Sequence, residues 1–353
     1  MKKIALALVS LFILLLIFGC TQQQETKKLQ VAVIVQLTGT EASTGQDFQN
    51  GMILAKEKFG QDIDLYFEDN QSTATESVTG AKKLLDTQNI DVIVSVGSLA
   101  SMPLLSVADQ YDKPLLSTAV TADSFTQKSK NSFRLFPTAK DYATKAAELA
   151  TKEGFANVSM LTIHNEYGDA IKQQFKTIFG GGVALQESFE VGERDFRTSL
   201  AKISDANSNV VYSVGFDVHG VNILKEREEL GKKLIILSNQ NMTSNFVVSQ
   251  VGDLFKDIYA TVPKSTLLTK TSSEFANEYF EKYGRQPDWS APFGYDTVLI
   301  LEAIQKSGKK PIEALHEIKI NGLNGELSFG EGQESHISLI SVQVKNGAIE
   351  EIK

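Results

Sequence analysis

An α/β fold of two doubly wound parallel-sheet lobes follows from three observations on this 353-residue chain. Short apolar, β-branched runs alternate with helical segments from residue 29 nearly to the end, the pattern of repeated βαβ units. The length exceeds one ordinary domain and suits two. The second half then repeats the first in outline. Val94-Ser95-Val96-Gly97-Ser98 has a counterpart in Tyr212-Ser213-Val214-Gly215-Phe216. Each is followed by a helix and, about twenty residues on, by a basic-led strand, Lys113–Leu116 or Lys232–Leu237. Small polar residues follow those strands, Ser117–Thr121 in one half and Ser238–Asn241 in the other. In open α/β sheets ligands bind beyond the carboxyl ends of the strands, so two such sheets are expected to face one another across a cleft.

In order, Leu29–Leu37 is expected as the first buried strand, Thr38–Thr44 as a polar turn and Gly45–Phe59 as an amphipathic helix. Asp62–Phe67 alternates acidic and apolar residues, as a strand nearer the sheet edge does. Ala74–Thr87 reads as a helix and Asp91–Val96 as a strand covered on both faces. Gly97-Ser98 breaks it, and Leu99–Tyr111 continues at helical spacing with Pro103 in the first turn, where proline is tolerated. Ser132–Phe136 is a strand stopped by Pro137. A second series of strands is expected at Asn157–Ile163, Val183–Phe189, Asn209–Val214, Leu234–Leu237 and Ile258–Val262, with helices between them. Helices at Ser272–Tyr283, Ala291–Lys306 and Ile312–Lys319 precede strands at Gly325–Phe329 and Ile337–Lys345.

The amino terminus stands apart from this pattern. Met1-Lys2-Lys3 is a basic start, and Ile4–Phe18 is an almost unbroken apolar stretch, so residues 1–19 read as a secretory signal. Leu16-Ile17-Phe18-Gly19-Cys20 resembles a lipobox, although Phe18 is bulkier than the residue usual there. Cys20, the sole cysteine, is therefore expected to carry a lipid, with residues 20–28 as a polar tether. Loss of Lys2 and Lys3 takes the formal charge from −8 to −10. That acidity, without a basic patch, argues against a nucleic-acid partner.

With these features in place the chain resembles the periplasmic solute-binding proteins of branched-chain amino acid type, in lipoprotein form. The likeness rests on the order and spacing of several short stretches: Leu37-Thr38-Gly39, Gly45-Gln46-Asp47, Asn50-Gly51, Glu68-Asp69-Asn70, Ser98–Pro103, Leu116–Thr121, Phe125-Thr126, Tyr167-Gly168, Asp195-Phe196, Thr261–Lys264 and Gly294-Tyr295-Asp296. It implies a type I periplasmic binding fold, with lobe I at residues 29–137 and 264–328 and lobe II at 138–263 and 329–353. Three crossing segments would form the hinge, near Phe136–Ala139, Pro263–Ser265 and Leu327–Glu331. It further implies capture of a small polar solute by hinge closure and delivery to an ABC permease, at a membrane reached through the lipid.

Carried over residue by residue, the resemblance places a ligand carboxylate on Ser98, the Leu99 amide, the Val120 carbonyl and Thr121. Tyr167 and Phe216 match aromatics of the second lobe. The chain departs from the family at Thr44, where an aromatic is common, and at Asn239, where an acid would meet a ligand ammonium. Asp217 on the neighbouring loop can supply that charge. Alternatively the ligand lacks a free amine, and Asn239 with Gln240 suits an amide, a urea-like compound or a hydroxylated acid.

Catalysis, metal and cofactor have little support in the sequence. None of the four histidines pairs with another or with an acid at metal-ligand spacing. Gly180-Gly181-Gly182 precedes a strand and lacks the Lys-Ser/Thr of a phosphate loop. A secreted hydrolase using Ser98 and His164 is the rival of another class, although Gly97–Ser101 lacks the second glycine of a nucleophile elbow. A ligand sensor of the same fold makes the same demands on the sequence as an importer's binding protein.

Overall fold

A computed structural model describes residues 27–353; the expected signal, Cys20 and most of the tether lie outside them. Five strands form the first sheet: β1 (Leu29–Val35), β2 (Ile63–Asp69), β3 (Val92–Val96), β4 (Leu115–Thr118) and β5 (Ser132–Arg134). All run parallel, in the order β2-β1-β3-β4-β5. The alternation of β1 explains its central place: Val31, Val33 and Val35 enter one core, while Ala32 and Ile34 enter the core on the opposite face. Both faces are covered by helices, so the strand carries no polar side.

The second sheet contains β6 (Asn157–Ile163), β7 (Gly182–Phe189), β8 (Val210–Val214), β9 (Ile235–Asn239) and β10 (Ile258–Pro263). A small hairpin follows, β11 (Ile320–Gly322) with β12 (Gly325–Leu327). The chain then returns to the second sheet as β13 (Leu339–Lys345) and β14 (Ala348–Glu351), giving the order β14-β13-β10-β9-β8-β6-β7. β13 and β14 run antiparallel at one edge of this otherwise parallel sheet. The cause is local. Asn346 and Gly347 both have positive φ, 50° and 76°, and Lys345 pairs directly with Ala348. A two-residue Asn-Gly loop of that geometry turns a strand straight back on itself.

Three segments cross between the lobes, and the third departs from its expected place. Residues beyond 328, assigned to the second lobe, stay with the first as far as Ser335. The Arg134 N–H donates to the Gln333 carbonyl at 2.9 Å, and the Ser335 N–H donates to the Arg134 carbonyl at 2.9 Å. Phe329 meets Phe133 edge-on at 5.6 Å. Only at Ser338, whose carbonyl accepts from the Lys264 N–H at 2.9 Å, has the chain reached the second lobe.

The first lobe places its front loop through two close-packed helices. The Ala42–Phe59 helix lies against Ala291–Ser307 so closely that a Cβ on Gly51 would fall 2.0 Å from the Ala291 carbonyl oxygen. A Cβ on Gly294 would fall 2.0 Å from that of Phe48. Ser290 donates to the Thr44 carbonyl at 2.8 Å. The start of the first helix, with Glu41 and Thr44, is thereby fixed at the carboxyl end of β1. Among the described residues no helix is long and apolar enough to cross a membrane.

Candidate functional site

The cleft between the lobes is nearly shut, with about 30 Å3 of free space. Its first-lobe wall begins at Gly97, which has φ +85° and precedes the Ser98–Tyr111 helix. The first helical hydrogen bond runs from the Ser101 N–H to the Gly97 carbonyl, 3.0 Å. The amides of Ser98, Leu99 and Ala100 thus come before any helical acceptor, and the helix dipole adds positive potential there. Ser98 and Leu99 both line the cleft, with Ala119 beside them in a left-handed conformation at φ +55°.

Val120 and Thr121 sit behind this wall. The Val120 carbonyl accepts from Arg134 Nη1 at 3.2 Å and is occupied by that contact. The Thr121 N–H donates to Ser98 Oγ at 3.4 Å, and its carbonyl accepts from the Ala139 N–H at 2.8 Å. Both residues are fully buried and absent from the cleft lining. Thr121 Oγ1 is buried without a hydrogen-bond partner among the described residues.

The second-lobe wall is aromatic, then acidic. Asn165 caps the Glu166–Ile178 helix, its Oδ1 accepting from the Gly168 N–H at 3.0 Å. Tyr167 stacks on Phe216, with centroids 6.1 Å apart and planes at 8°. Asn239, fully buried and outside the lining, donates through Nδ2 to the Tyr167 hydroxyl. It orients that ring. The neighbouring Gln240 lines the cleft, with its Oε1 buried and without a hydrogen-bond partner among the described residues.

Asp217 is the first residue of the Asp217–Glu229 helix and only 4% exposed. Its Oδ2 accepts from Ser43 Oγ of the first lobe at 3.0 Å, while Oδ1 has no partner among the described residues. Burial, then the charge of Asp288, pushes its carboxyl up to about 7. The backbone just before Asp217 is held from behind. The Phe216 N–H donates to His219 Nδ1 at 3.0 Å, so the Nε2–H of this neutral ring donates to the Val191 carbonyl, 3.0 Å away. Burial lowers His219 to about 4, consistent with that neutral form.

Glu41 was not singled out from the sequence. The residue is half-buried, but its carboxyl is enclosed between Gln36, Gly97 and the opposite lobe. Burial, then the charge of Asp217, raises it to about 8. The available signal was its place, as the only charged residue between Thr38 and Gln46, just past a strand end. Phe136 and Trp289 complete the lining, their rings 5.9 Å apart. Further contacts close the lobes on each other: Gln174 Nε2 donates to Asp123 Oδ2 at 2.7 Å, and the Asn245 N–H to Asp288 Oδ2 at 2.6 Å.

His164 lies elsewhere. It is 62% exposed, pairs with Asp169 at 2.8 Å and takes no part in the cleft lining beside Ser98. Asp296 is fully buried and holds the β11–β12 turn, accepting from the Leu323 N–H at 2.7 Å and the Asn324 N–H at 2.9 Å. Among the described residues no cluster of three His, Cys, Asp or Glu could hold a metal ion.

Comparison with known proteins agrees with this architecture. A leucine-binding protein, LivK, from Thermotoga maritima superposes with a TM-score of 0.84 at 24% identity, over 92% of this chain and 98% of that one. A solute-binding protein of an ABC transporter from Rhodopseudomonas palustris, in complex with 3,4-dihydroxybenzoic acid, gives 0.83 at 21% identity, over 92% and 96%. In sequence, a leucine-, isoleucine-, valine-, threonine- and alanine-binding protein of Pseudomonas aeruginosa is 21% identical over 94% of both chains. The model of one family, periplasmic binding protein, matches residues 28–348. With nearly all of its folded part matched, the chain belongs to the periplasmic binding protein family.

Proposed function

We propose that this protein is the extracytoplasmic solute-binding component of an ABC importer, anchored through a lipid on Cys20, that closes its lobes around a small amino-acid-like solute. One observation carries the choice of solute. A helix start rich in free amides faces, across the same cleft, a buried Asp217 whose Oδ1 has no partner among the described residues. The solute's carboxylate lies against Ser98 and the Leu99 amide, and its ammonium against Asp217 and Gln240 Oε1. The rings of Tyr167, Phe216 and Trp289 enclose the part between. Hydrogen bonds from an ammonium satisfy acceptors that are otherwise costly to bury. Relatives named as amino-acid-binding proteins, and a neighbour holding an aromatic acid, support a small carboxylate-bearing solute.

A thermal-shift screen of amino acids, amides, ureas and small acids tests this, because a ligand of the folded form raises its melting temperature by mass action. An amino acid giving the largest rise is expected. A rise from ureas or amides alone would remove the ammonium from the scheme. The anchor is tested separately: Cys20→Ser protein should appear in the medium, and unchanged membrane retention would refute lipidation there.

A further inference from the structure

We infer that Glu41 of the first lobe and Asp217 of the second form one cation subsite spanning the cleft, which selects a solute of net positive charge such as a basic amino acid. This rests on the solute-binding role proposed above and names the class of solute. Both carboxyls line the cleft, and among the described residues no Lys, Arg or His lines it with them. The other acids nearby are accounted for. Asp47 is paired with Arg285 Nη1 at 2.9 Å and accepts from the Tyr279 hydroxyl; Asp288 faces Lys270 at 4.0 Å. Glu41 accepts from Gln36 Nε2 at 3.2 Å and Asp217 Oδ2 from Ser43 Oγ at 3.0 Å, with the Ser244 hydroxyl also beside the Asp217 carboxyl.

The second observation is independent of charge. Asp217 Oδ1 and Gln240 Oε1 are buried acceptors without partners, on residues 4% and 2% exposed that line the same space. A donor-rich group such as an ammonium or guanidinium satisfies both, and a second positive group meets Glu41. A zwitterion brings only one positive charge for two carboxyls. An aromatic acid brings none. The positive end of the Ser98 helix, the Gln36 amide and the hydroxyls of Ser43, Ser244 and Tyr167 also face the pair, and none carries a full positive charge.

Isothermal titration of the purified protein with arginine, lysine, leucine and 4-hydroxybenzoate, at about pH 6 and about pH 8.5, tests the inference. Arginine or lysine should bind about tenfold or more tighter than leucine, and tighter at the higher pH as both carboxyls ionise. Glu41→Gln should bring the ratio of those affinities towards one and flatten the rise with pH. Tightest binding by leucine or 4-hydroxybenzoate, unaltered by Glu41→Gln, would overturn the cation subsite and leave the solute-binding role standing. Absence of binding by all four solutes, with no small molecule retained by the protein in native mass spectrometry, would overturn both.

Discussion

The two walls of the cleft are built alike and present opposite chemistry. In each, a buried strand ends in a short turn and a helix starts facing the other lobe: β3 into Ser98–Tyr111, and β8 into Asp217–Glu229. The first helical residue decides the difference. Ser98 leaves the helix start as a set of free donors; Asp217 puts a carboxylate on the same spot and answers that positive potential from within the chain. The residue before it differs correspondingly. Gly97, at φ +85°, carries no side chain, whereas Phe216 stacks over Tyr167 and has its N–H held by His219. One architecture thus yields a donor wall and an acceptor wall, and a solute with unlike ends fits between them.

Making the walls alike should produce the largest effect. Asp217→Ser gives the second helix the first residue of the other. It should weaken an amine-bearing solute by about a hundredfold, on the order of 3 kcal/mol, in calorimetry; an affinity within about threefold of wild type would break the comparison. Acid should next separate the lobes. In the unfolded chain His219 takes up a proton near its ordinary 6.5, but in the folded chain only near 4. At this group the unfolded state therefore binds more protons between these values, and the contribution of His219 to stability should fall by about 3 kcal/mol across that window, opposed by the Glu41 and Asp217 carboxyls that folding raises. Amide exchange should register the loss around β8 and the helix after it before it reaches β3. The smallest effect belongs to the donor wall: Ser98→Ala removes one of several donors and should cost roughly tenfold in affinity or less, about 1 kcal/mol. A larger loss than that of Asp217→Ser would reverse the ranking of the two walls.

Much of this was legible in the sequence, and the exceptions have physical causes. Buried strands such as β1 and β3 announced themselves as unbroken apolar runs because both faces are covered. β14 did not, since three of its four residues are exposed, although Asn346-Gly347 marked the turn before it. In the site, Ser98, Leu99, Tyr167, Phe216 and Asp217 line the cleft; Val120, Thr121 and Asn239 stand one layer behind. At a strand end a single step in register changes which wall a side chain meets. Asn239 ends β9 and points to Tyr167, and Gln240 takes the place beside the solute space. Glu41 escaped notice because its importance comes from the opposite lobe, which no spacing within the first reveals. The third crossing moved for a similar reason. Pairing of residues 333–335 with Arg134 joins positions far apart in sequence.

Arg134 has a consequence for the order of events in capture. Its buried guanidinium donates to the carbonyls of Val120 and Ala122 and to Glu334, at 3.2, 2.9 and 2.6 Å. All of these belong to the first lobe or to the strand segment that stays with it. The turn behind Ser98 is therefore braced within one rigid body, whatever angle the hinge adopts. The second lobe meets this turn from outside, through the Ala139 N–H on the Thr121 carbonyl and Gln174 on Asp123. The first lobe acts as a landing stage already in shape when the solute arrives, so little conformational freedom is lost there on docking. The second lobe is the latch, and Ser43 meeting Asp217 is where it catches.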